Sequence, residues 1–465
     1  MRRIWTFILT AVFLLAFPMA AFAADGAPKI DSGDTAFVLI SAALVMLMTP
    51  GLALFYGGMV RKKNVLSTIM HSLIVLGLVS IQWVMIGYSL AFGPDHASLI
   101  GGLNWLGLSG VGQTPNPDYA ATIPALVFMA FQLMFAIITP ALISGSIAER
   151  MRFPAFVLFV LAWATLIYDP LAHWVWGNGG FLRNMGALDF AGGTVVHISS
   201  GVSGLVAALV LGKRKGHGAE HMAPHHIPMT VLGAGLLWFG WFGFNAGSAL
   251  GANGLAASAF VTTNTSAAAA ALAWAGVEWL RNGKPTVLGA ASGAVAGLVA
   301  ITPAAGFVTV PASIIIGLVG GGICYLAVSV LKAKLGYDDA LDAFGCHGIG
   351  GMWGALATGL FATKAVNAAG NNGLFYGNPH QLVVQGISVA VTIAFAAAAT
   401  FVILKAINLV VRVRATAEEE DTGLDLSMHG EQAYPDFVAS GLVFGMPSAH
   451  RAPVASVVPG GNPAK

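Results

Sequence analysis

The chain has 465 residues, of which 57% are hydrophobic and 9% are charged, with a formal net charge of +2 and a mean hydropathy of +0.78. A water-soluble chain carries roughly 25% charged residues, so this composition excludes a soluble globular protein and indicates an integral membrane protein. The near-neutral charge balance gives no sign of a nucleic-acid partner.

The N-terminus has the three parts of a secretory signal peptide. These are a basic start (Met1 to Arg3), a short apolar core (Ile4 to Met19) and a small-residue cleavage motif (Ala21 to Ala23). The sequence therefore predicts a signal peptide over 1–23 and a periplasmic N-terminal segment over 24–33. An uncleaved first helix is the alternative interpretation.

The rest of the chain is dominated by long apolar runs. A membrane-spanning helix needs about 20 mostly apolar residues, and eleven runs satisfy this. They predict an all-α polytopic membrane domain over 34–411, followed by a charged cytoplasmic tail over 412–465. The runs lie near 34–60, 67–92, 122–147, 153–176, 191–212, 227–248, 254–280, 286–304, 309–333, 344–363 and 381–411.

The positions of lysine and arginine predict the orientation. Connections after odd-numbered spans hold twelve of these residues, and connections after even-numbered spans hold two, Arg183 and Lys364. Cytoplasmic loops carry the excess of positive charge. We therefore expect the mature N-terminus outside and the C-terminus inside, as an odd span count requires.

Two segments share a spacing of polar and small residues. Asp189 lies eight residues before His197, and Asp339 lies eight residues before His347. Five predicted spans separate the copies, so they cross the membrane in opposite directions, as in an inverted-topology repeat. Spans 1–5 and 6–10 are the predicted halves, with span 11 left over and the two histidines meeting at mid-depth. A chance match in Gly-rich sequence is the alternative. Glycines follow each histidine by four and seven residues: Gly201, Gly204, Gly351 and Gly354.

Frequent glycines and alanines within the spans indicate close helix packing; the run Gly317 to Gly322 is one example. The two cysteines, Cys324 and Cys346, lie in apolar runs. We expect no disulfide between them, since disulfide frameworks need more cysteines and wetter positions.

Several motifs, in the same order along the chain, resemble the Amt/Mep/Rh ammonium transporter family. They are FQLMFAIITPALISGSIAER from Phe131, DFAGGTVVHISSGVSG from Asp189, FGWFGFNAGSA from Phe239 and ALDAFGCHGIGG from Ala340. The resemblance extends from about residue 34 to the tail, and the tail favours the Amt branch. It implies a homotrimer with one pore per subunit, embedded in the lipid bilayer of the bacterial inner membrane, with ammonium or ammonia as substrate and no cofactor.

The resemblance also implies roles for individual residues. Trp176, Phe135 and Ser248 match the family's outer recruitment site, and Phe131 is included with them as a substrate-binding residue. Phe135 and Phe244 match the two stacked phenylalanines that close the pore. His197 and His347 match the twin histidines, and Asp189 matches the family's aspartate.

Elementary energetics favour proton removal before the narrow part of the pore. Aromatic faces attract cations by roughly 0.5–2 kcal/mol, whereas burying a bare ion in hydrocarbon costs on the order of 20 kcal/mol. With a lysine-type ammonium of pKa about 10.4 as a stand-in, proton loss at pH 7 costs about 4.6 kcal/mol. Neutral imidazoles both donate and accept hydrogen bonds. His197 and His347 therefore either line the path of ammonia or relay a proton, and the sequence leaves both open.

The aspartates also have two interpretations. Asp189 precedes a segment where a helix could start, so it is either a capping residue or an electrostatic group that favours a cation at the outer mouth. The two roles are compatible. Asp339 and Asp342 are expected to mirror it at the inner end of span 10.

Two peripheral segments complete the sequence. The loop that contains His217, His221, His225 and His226 has no standard metal-ligand spacing, and we expect a solvated loop without a metal. The family resemblance implies that the segment from Gly423 to Tyr434 docks on the cytoplasmic face, couples subunits and supports binding of a PII-type signal protein. After Pro435 the composition predicts disorder.

Three function classes remain. An inward ammonium transporter is the leading hypothesis. An ammonium sensor or transceptor that signals through its tail is the first alternative, although the soluble part is too small for a kinase or cyclase domain. An Rh-like neutral gas channel is the second. An enzyme is not expected, since the spans contain no nucleophile–base pair and no metal motif.

Overall fold

A computed structural model describes residues 29–434. The predicted signal peptide and the predicted disorder after Pro435 lie outside the described residues. Within them, the chain folds almost entirely into helices that follow the predicted apolar runs in order. The helices are α1 (Ser32–Met59), α2 (Lys62–Phe92), α3 (Ala125–Ile147), α4 (Phe153–Asn184), α5 (Gly193–Leu211), α6 (Ile227–Gly247), α7 (Gly254–Asn282), α8 (Val287–Ile301), α9 (Val310–Leu335), α10 (Phe344–Gly348 continued by Ile349–Phe361) and α11 (Pro379–Val410).

Nine of the described helices, all of these except α8 and α10, are long and apolar enough to cross a membrane. The structure therefore shows a polytopic helical membrane protein. The predicted eighth run continued to residue 304, but α8 ends at Ile301 and a buried turn leads from it into α9. The tenth run is divided between a π-helical turn and an α-helix.

Side-chain caps explain where several helices begin. Asp31 accepts a hydrogen bond from the amide of Asp34 at 2.8 Å and caps α1. Asn253 caps α7 through the amides of Leu255 and Ala256. Such caps satisfy amide groups that have no partner in the first turn of a helix. Between α2 and α3, two short antiparallel strands, β1 (Asp95–His96) and β2 (Ile100–Gly101), fold over one end of the bundle.

Close packing is visible where α9 crosses α7. A Cβ atom on Gly317 would overlap the backbone of Ser266, and one on Gly321 would overlap the backbone of Ala270. The glycines therefore let the two backbones touch, as the Gly-rich run predicts. Nearby, Cys324 and Cys346 have free thiols, which agrees with the expectation of no disulfide.

Five connections that follow odd-numbered helices meet at one end of the bundle. Arg61, after α1, pairs with Glu149, after α3, at 2.8 Å. Arg214, after α5, pairs with the same Glu149 at 3.1 Å and with Asp338, after α9, at 2.8 Å. Although burial raises the pKa of Glu149, the neighbouring Arg214 and Arg61 guanidinium groups hold it below its usual value. Arg414, after α11, donates to the Leu211 carbonyl oxygen at the end of α5 and to the Lys213 carbonyl oxygen in the connection that follows.

The described part of the tail docks at this same end. It forms two short helices, α12 (Ala417–Thr422) and α13 (Leu424–His429). The ammonium group of Lys63 donates to the Glu420 carbonyl oxygen at 2.7 Å, and the amide of Ser67 donates to the Asp425 carboxylate at 2.7 Å. The tail is therefore tied to the beginning of α2.

Candidate functional site

His197 and His347 meet at the centre of the bundle. Their Nδ1 atoms are 3.3 Å apart, and their rings lie 5.3 Å apart between centroids at an interplanar angle of 19°. Both side chains are buried. His197 Nε2 has no hydrogen-bond partner in the described part of the chain. The histidines predicted from the repeat thus form one contacting pair.

The backbone around the histidines explains why they can approach so closely. Each histidine lies in a π-helical turn, Gly193–Ile198 in α5 and Phe344–Gly348 in α10. A Cβ atom on Gly201 would overlap the backbone of Gly348, the residue next to His347. The glycine four residues after the first histidine therefore makes room for the turn that holds the second.

A narrow apolar lumen borders the histidine pair. Its cavity volume is about 10 Å³, close to the minimum that holds a single water-sized molecule. Apart from the two imidazoles and the Trp241 indole, the lining side chains carry no polar atoms. They are Met48, Leu52, Phe55, Ile138, Leu142, Val196, Leu237, Phe244 and Val295.

Two stacked phenylalanines separate this lumen from an outer cavity. The rings of Phe135 and Phe244 are 4.2 Å apart between centroids, at 28°. Phe244 also lies 6.1 Å from the His197 ring on the lumen side. Phe131 packs edge-on against Phe135 at 4.9 Å and is fully buried. It therefore lies behind Phe135 rather than at the cavity surface.

The outer cavity has a volume of about 270 Å³ and is open to the outside of the bundle. Phe135, Trp176 and Ser248 all line it. The Trp176 ring stands at 89° to Phe135, 6.0 Å away, and its indole N–H donates to the Asp189 carbonyl oxygen at 2.9 Å. The Ser248 hydroxyl donates to the Phe244 carbonyl at 2.8 Å, which leaves its oxygen free to accept a bond.

The Asp189 carboxylate sits at the start of α5 and borders the outer cavity. Its Oδ1 accepts the amides of Gly192 and Gly193, each at 2.7 Å, and its Oδ2 accepts the amide of Thr194 at 2.7 Å and the Thr194 hydroxyl. Four donors therefore stabilise the carboxylate at the beginning of the helix, where negative charge is favoured. Asp189 therefore caps α5 and also lies beside the outer cavity.

Two aspartates, Asp339 and Asp342, were expected to mirror Asp189, and their contacts differ from each other. Asp339 Oδ2 accepts the amide of Phe344 at 2.7 Å, as Asp189 does for Thr194. Asp342 instead pairs with the Lys332 ammonium group at 2.6 Å. Asp339 therefore mirrors Asp189 at the start of α10, whereas Asp342 joins α10 to the end of α9.

Some residues that the structure places at the site were not predicted from the sequence. The Trp241 indole stacks on His197 at 5.4 Å and donates to the Thr302 hydroxyl at 2.9 Å. Its position three residues before Phe244 in the FGWFGF motif could have indicated it, since residues three apart share a helix face. Asp118 and Tyr119, which also line the outer cavity, come from a connection without a comparable signal.

Three of the four loop histidines, His217, His225 and His226, make structural contacts, whereas His221 is exposed. His225 contacts the Val60 carbonyl at 2.9 Å and the Tyr434 hydroxyl at 3.0 Å through its two ring nitrogens. His226 Nδ1 accepts the Met229 amide and caps α6. His217 lies 3.3 Å from the Asp338 carboxylate. Among residues 29–434, no group of three or more His, Cys, Asp or Glu side chains could hold a metal ion.

Comparisons with known proteins agree over most of the chain. A sequence model of the Ammonium Transporter Family matches residues 36–434. The ammonium transporter of Bacillus subtilis (strain 168) is 61% identical over 404 residues, which cover 87% of this chain and 99% of that protein. The crystal structure of Candida albicans Mep2 aligns with a TM-score of 0.80 at 37% identity, over 87% of this chain and 91% of that one. A solved structure described as a sensor Amt protein aligns at 0.79 with 29% identity, over 85% and 98%.

Proposed function

This chain belongs to the ammonium transporter family and is an ammonium transporter, and we propose that it recruits ammonium at the outer cavity, removes a proton there and passes ammonia between the twin histidines. Trp176, Phe135 and Ser248 receive the cation. The observation that carries the proposal is the 3.3 Å contact between the two Nδ1 atoms beside an apolar lumen.

The outer cavity can hold a hydrated cation, but the lumen cannot. Two aromatic faces and a hydroxyl oxygen meet at the cavity floor, and aromatic faces attract cations by roughly 0.5–2 kcal/mol. Below them the stacked rings of Phe135 and Phe244 close the path. Passage requires these rings to move, and neutral ammonia needs less space and no counter-charge.

The histidine contact constrains the protons in the lumen. One Nδ1 must donate and the other must accept, so the two neutral rings share a single N–H at this contact. The ring that donates through Nδ1 then has a bare Nε2 and the accepting ring has an Nε2–H. The pair thus offers ammonia one acceptor and one donor. Proton transfer along the pair would make transport electrogenic, and lining without transfer would not.

Transport measurements on a double histidine variant test the proposal. Replacing both His197 and His347 with leucine is expected to abolish ammonium uptake in proteoliposomes while the purified protein keeps its oligomeric state. Exposed His221, replaced by alanine, is the matched control and should leave uptake unchanged. A double variant that takes up ammonium at the wild-type rate would overturn the proposed pore chemistry. A current transient on an ammonium pulse in the wild type alone would show that transport is electrogenic.

We also propose how the chain is arranged relative to the membrane. It begins with a cleaved signal peptide (1–23) and a periplasmic segment (24–33). An eleven-span membrane domain (34–411) with its N-terminus outside follows, and then a cytoplasmic tail (412–465). The protein forms a homotrimer in the bacterial inner membrane. The meeting of positively charged connections with the docked tail at one end of the bundle supports the orientation.

The docked tail supports a regulatory role, with a PII-type signal protein as the proposed partner at the cytoplasmic face. Similarity to a protein described as a sensor Amt is compatible with signalling. Transport remains the proposed function, since the relative with 61% identity is an ammonium transporter.

A further inference from the structure

A cluster of polar side chains lies between α2 and α4, away from the pore. It consists of Gln82 on α2 and of Thr165, Tyr168 and Asp169 on α4, and none of the four lines the lumen or the outer cavity. Asp169 is 0% exposed. Ionisable residues inside a membrane domain are costly and mark functional sites more often than structural ones. This aspartate has no part in the mechanism proposed above.

Two π-helical turns frame the cluster. Trp83–Gly87 in α2 begins directly after Gln82, and Ala164–Tyr168 in α4 ends directly before Asp169. Such turns within α-helices occur frequently at functional sites. A Cβ atom on Gly87 would lie 2.8 Å from Gln82 Oε1 and 2.9 Å from Gln82 Nε2. Gly87 therefore leaves the space that the Gln82 amide occupies.

The hydrogen bonds fix the orientation of the Gln82 amide. The Thr165 hydroxyl donates its proton to the Leu161 carbonyl oxygen at 2.9 Å. Its oxygen can then only accept from Gln82, so the amide atom 3.1 Å away is the nitrogen. The other N–H of the same nitrogen donates to Asp169 Oδ2 at 2.7 Å. Both amide hydrogens are thereby used.

Two oxygens at this contact remain without partners. Gln82 Oε1 and Asp169 Oδ1 are buried and make no hydrogen bond within the described chain. The other polar atoms of the same two planar groups, Gln82 Nε2 and Asp169 Oδ2, are already hydrogen-bonded to each other. Both are acceptors when Asp169 is ionised, so neither can satisfy the other. A proton on Asp169 turns Oδ1 into a donor for Oε1 and satisfies both.

We propose that Asp169 holds a proton at neutral pH and forms a paired acid–amide contact with Gln82 that positions the outer part of α4. In this pair Gln82 Nε2–H donates to Asp169 Oδ2, and Asp169 Oδ1–H donates to Gln82 Oε1. The pair fixes α4 to α2 at a point seven residues, or two helical turns, before Trp176. Asp169 is therefore a positioning residue for the aromatic outer site.

Within residues 29–434, no positively charged side chain pairs with Asp169. The groups that interact with it are Gln82, from α2, and the Tyr168 hydroxyl, from its own helix. Tyr168 is uncharged at neutral pH and its hydroxyl has no partner in the described residues. The next titratable group outward on α4, His173, uses its two ring nitrogens for the Ala91 carbonyl and the Asp95 carboxylate. Loss of the proton at high pH would therefore leave an unpaired buried charge and weaken the α2–α4 contact.

Infrared spectroscopy of the purified protein tests the protonation directly. The spectrum at pH 7 is expected to contain a carbonyl stretch of a protonated carboxylic acid that disappears in Asp169→Asn. In Gln82→Met the band should persist and shift to higher frequency, since its carbonyl loses the amide donor. Absence of a band that depends on Asp169 would overturn the proposal. This measurement does not depend on transport.

Uptake measurements test the positioning role, which rests on the proposed function. Because asparagine imitates the neutral acid and can pair with the Gln82 amide, Asp169→Asn is expected to keep uptake within about twofold of the wild type at pH 7. Gln82→Met breaks the pair and should lower uptake. The ratio of wild-type to Asp169→Asn uptake should fall as the pH is raised, since only the wild type can lose the proton. A folded Asp169→Asn protein without uptake at any pH would show that the charge itself is needed and would overturn the proposal.

Discussion

The segments that lead into α5 and into α10 follow the same backbone course. Each segment has an aspartate eight residues before its histidine. The aspartate accepts a hydrogen bond from the amide of the residue five positions after the aspartate. The amide is that of Thr194 for Asp189 and that of Phe344 for Asp339, and both bonds are 2.7 Å long. Three residues after each aspartate the backbone adopts a positive φ, 115° at one position and 62° at the other. The symmetry therefore extends to a left-handed residue that the shared spacing alone does not reveal.

The side-chain partners of the two segments differ. Asp189 receives four donors, and its carboxylate borders the outer cavity. Asp339 receives one donor through Oδ2, and its Oδ1 has no partner in residues 29–434. The outer carboxylate is thus fully occupied by the start of its helix, whereas the inner one has an unused acceptor. A carboxylate held by four donors cannot change position without releasing the beginning of α5.

Replacing the two aspartates should give the largest contrast between the halves. Asp189→Ala removes four hydrogen bonds and leaves three amides unpaired, so we expect a loss of about 3–5 kcal/mol of stability and nearly complete loss of uptake. Asp339→Ala removes one hydrogen bond and should cost about 1–2 kcal/mol. Thermal unfolding in detergent, together with uptake in proteoliposomes, measures both effects.

Asp189→Asn is the control that separates capping from charge. An asparagine keeps one acceptor oxygen for the Gly192 and Gly193 amides, so stability should recover in part while the negative charge is absent. Uptake that recovers together with stability would assign Asp189 to capping alone. Recovered stability without uptake would assign it an electrostatic role as well. Equal losses in Asp189→Ala and Asp339→Ala would contradict the contrast between the two segments.

Much of the fold and part of the site follow from patterns that need only one sequence. Apolar runs of spanning length predict the helices, because the lipid interior leaves the backbone few alternatives. The contact between His197 and His347 was expected from the spacing that each histidine shares with its aspartate, since equivalent residues of an inverted repeat are brought together at its axis. These predictions depend on the length of the apolar runs and on residue spacing, which local packing does not change.

Features that depend on packing could not be predicted in the same way. The π-helical turns have no amino-acid composition of their own, so the sequence does not mark where they interrupt the α-helices. Phe131 and Phe135, four residues apart, share a helix face, yet only Phe135 reaches the cavity surface. Gln82 and Asp169 are 87 residues apart, and nothing in either local sequence indicates the other.

The glycines four residues after each histidine should give an intermediate contrast. A Cβ atom at Gly201 would overlap the backbone nitrogen of Gly348, beside His347, whereas at Gly351 it would lie 3.0 Å from the His197 Cβ and 3.1 Å from the Gly193 carbonyl oxygen. Backbone overlap cannot be relieved by a rotamer change, so Gly201→Ala should cost about 1–3 kcal/mol of stability and most of the uptake. Gly351→Ala needs shifts of only a few tenths of an ångström and should cost less.

Thermal unfolding and uptake of these two variants, measured side by side, test whether the helix crossing is equally tight on both sides of the histidine pair. Gly322→Ala is the matched control, because a Cβ atom there meets nothing within 4 Å, and it should behave as the wild type. If Gly351→Ala proved the more damaging of the two, the packing around the histidines would differ from that described.

Asp342→Asn should have the smallest effect on stability and uptake. It tests the ion pair between Asp342 and Lys332, which has no equivalent at Gly192 in the segment that leads into α5. Asp342 has the left-handed conformation that Gly192 has in the outer copy, and asparagine tolerates this conformation well. The substitution therefore removes only the charge that faces Lys332, in a partly exposed pair. Such pairs contribute about 0–1 kcal/mol, so unfolding should shift slightly and uptake should remain near the wild-type level. A loss of uptake comparable to that of Asp189→Ala would mean that the inner carboxylate acts on the substrate, and the inner end of α10 would then be functionally equivalent to the outer end of α5.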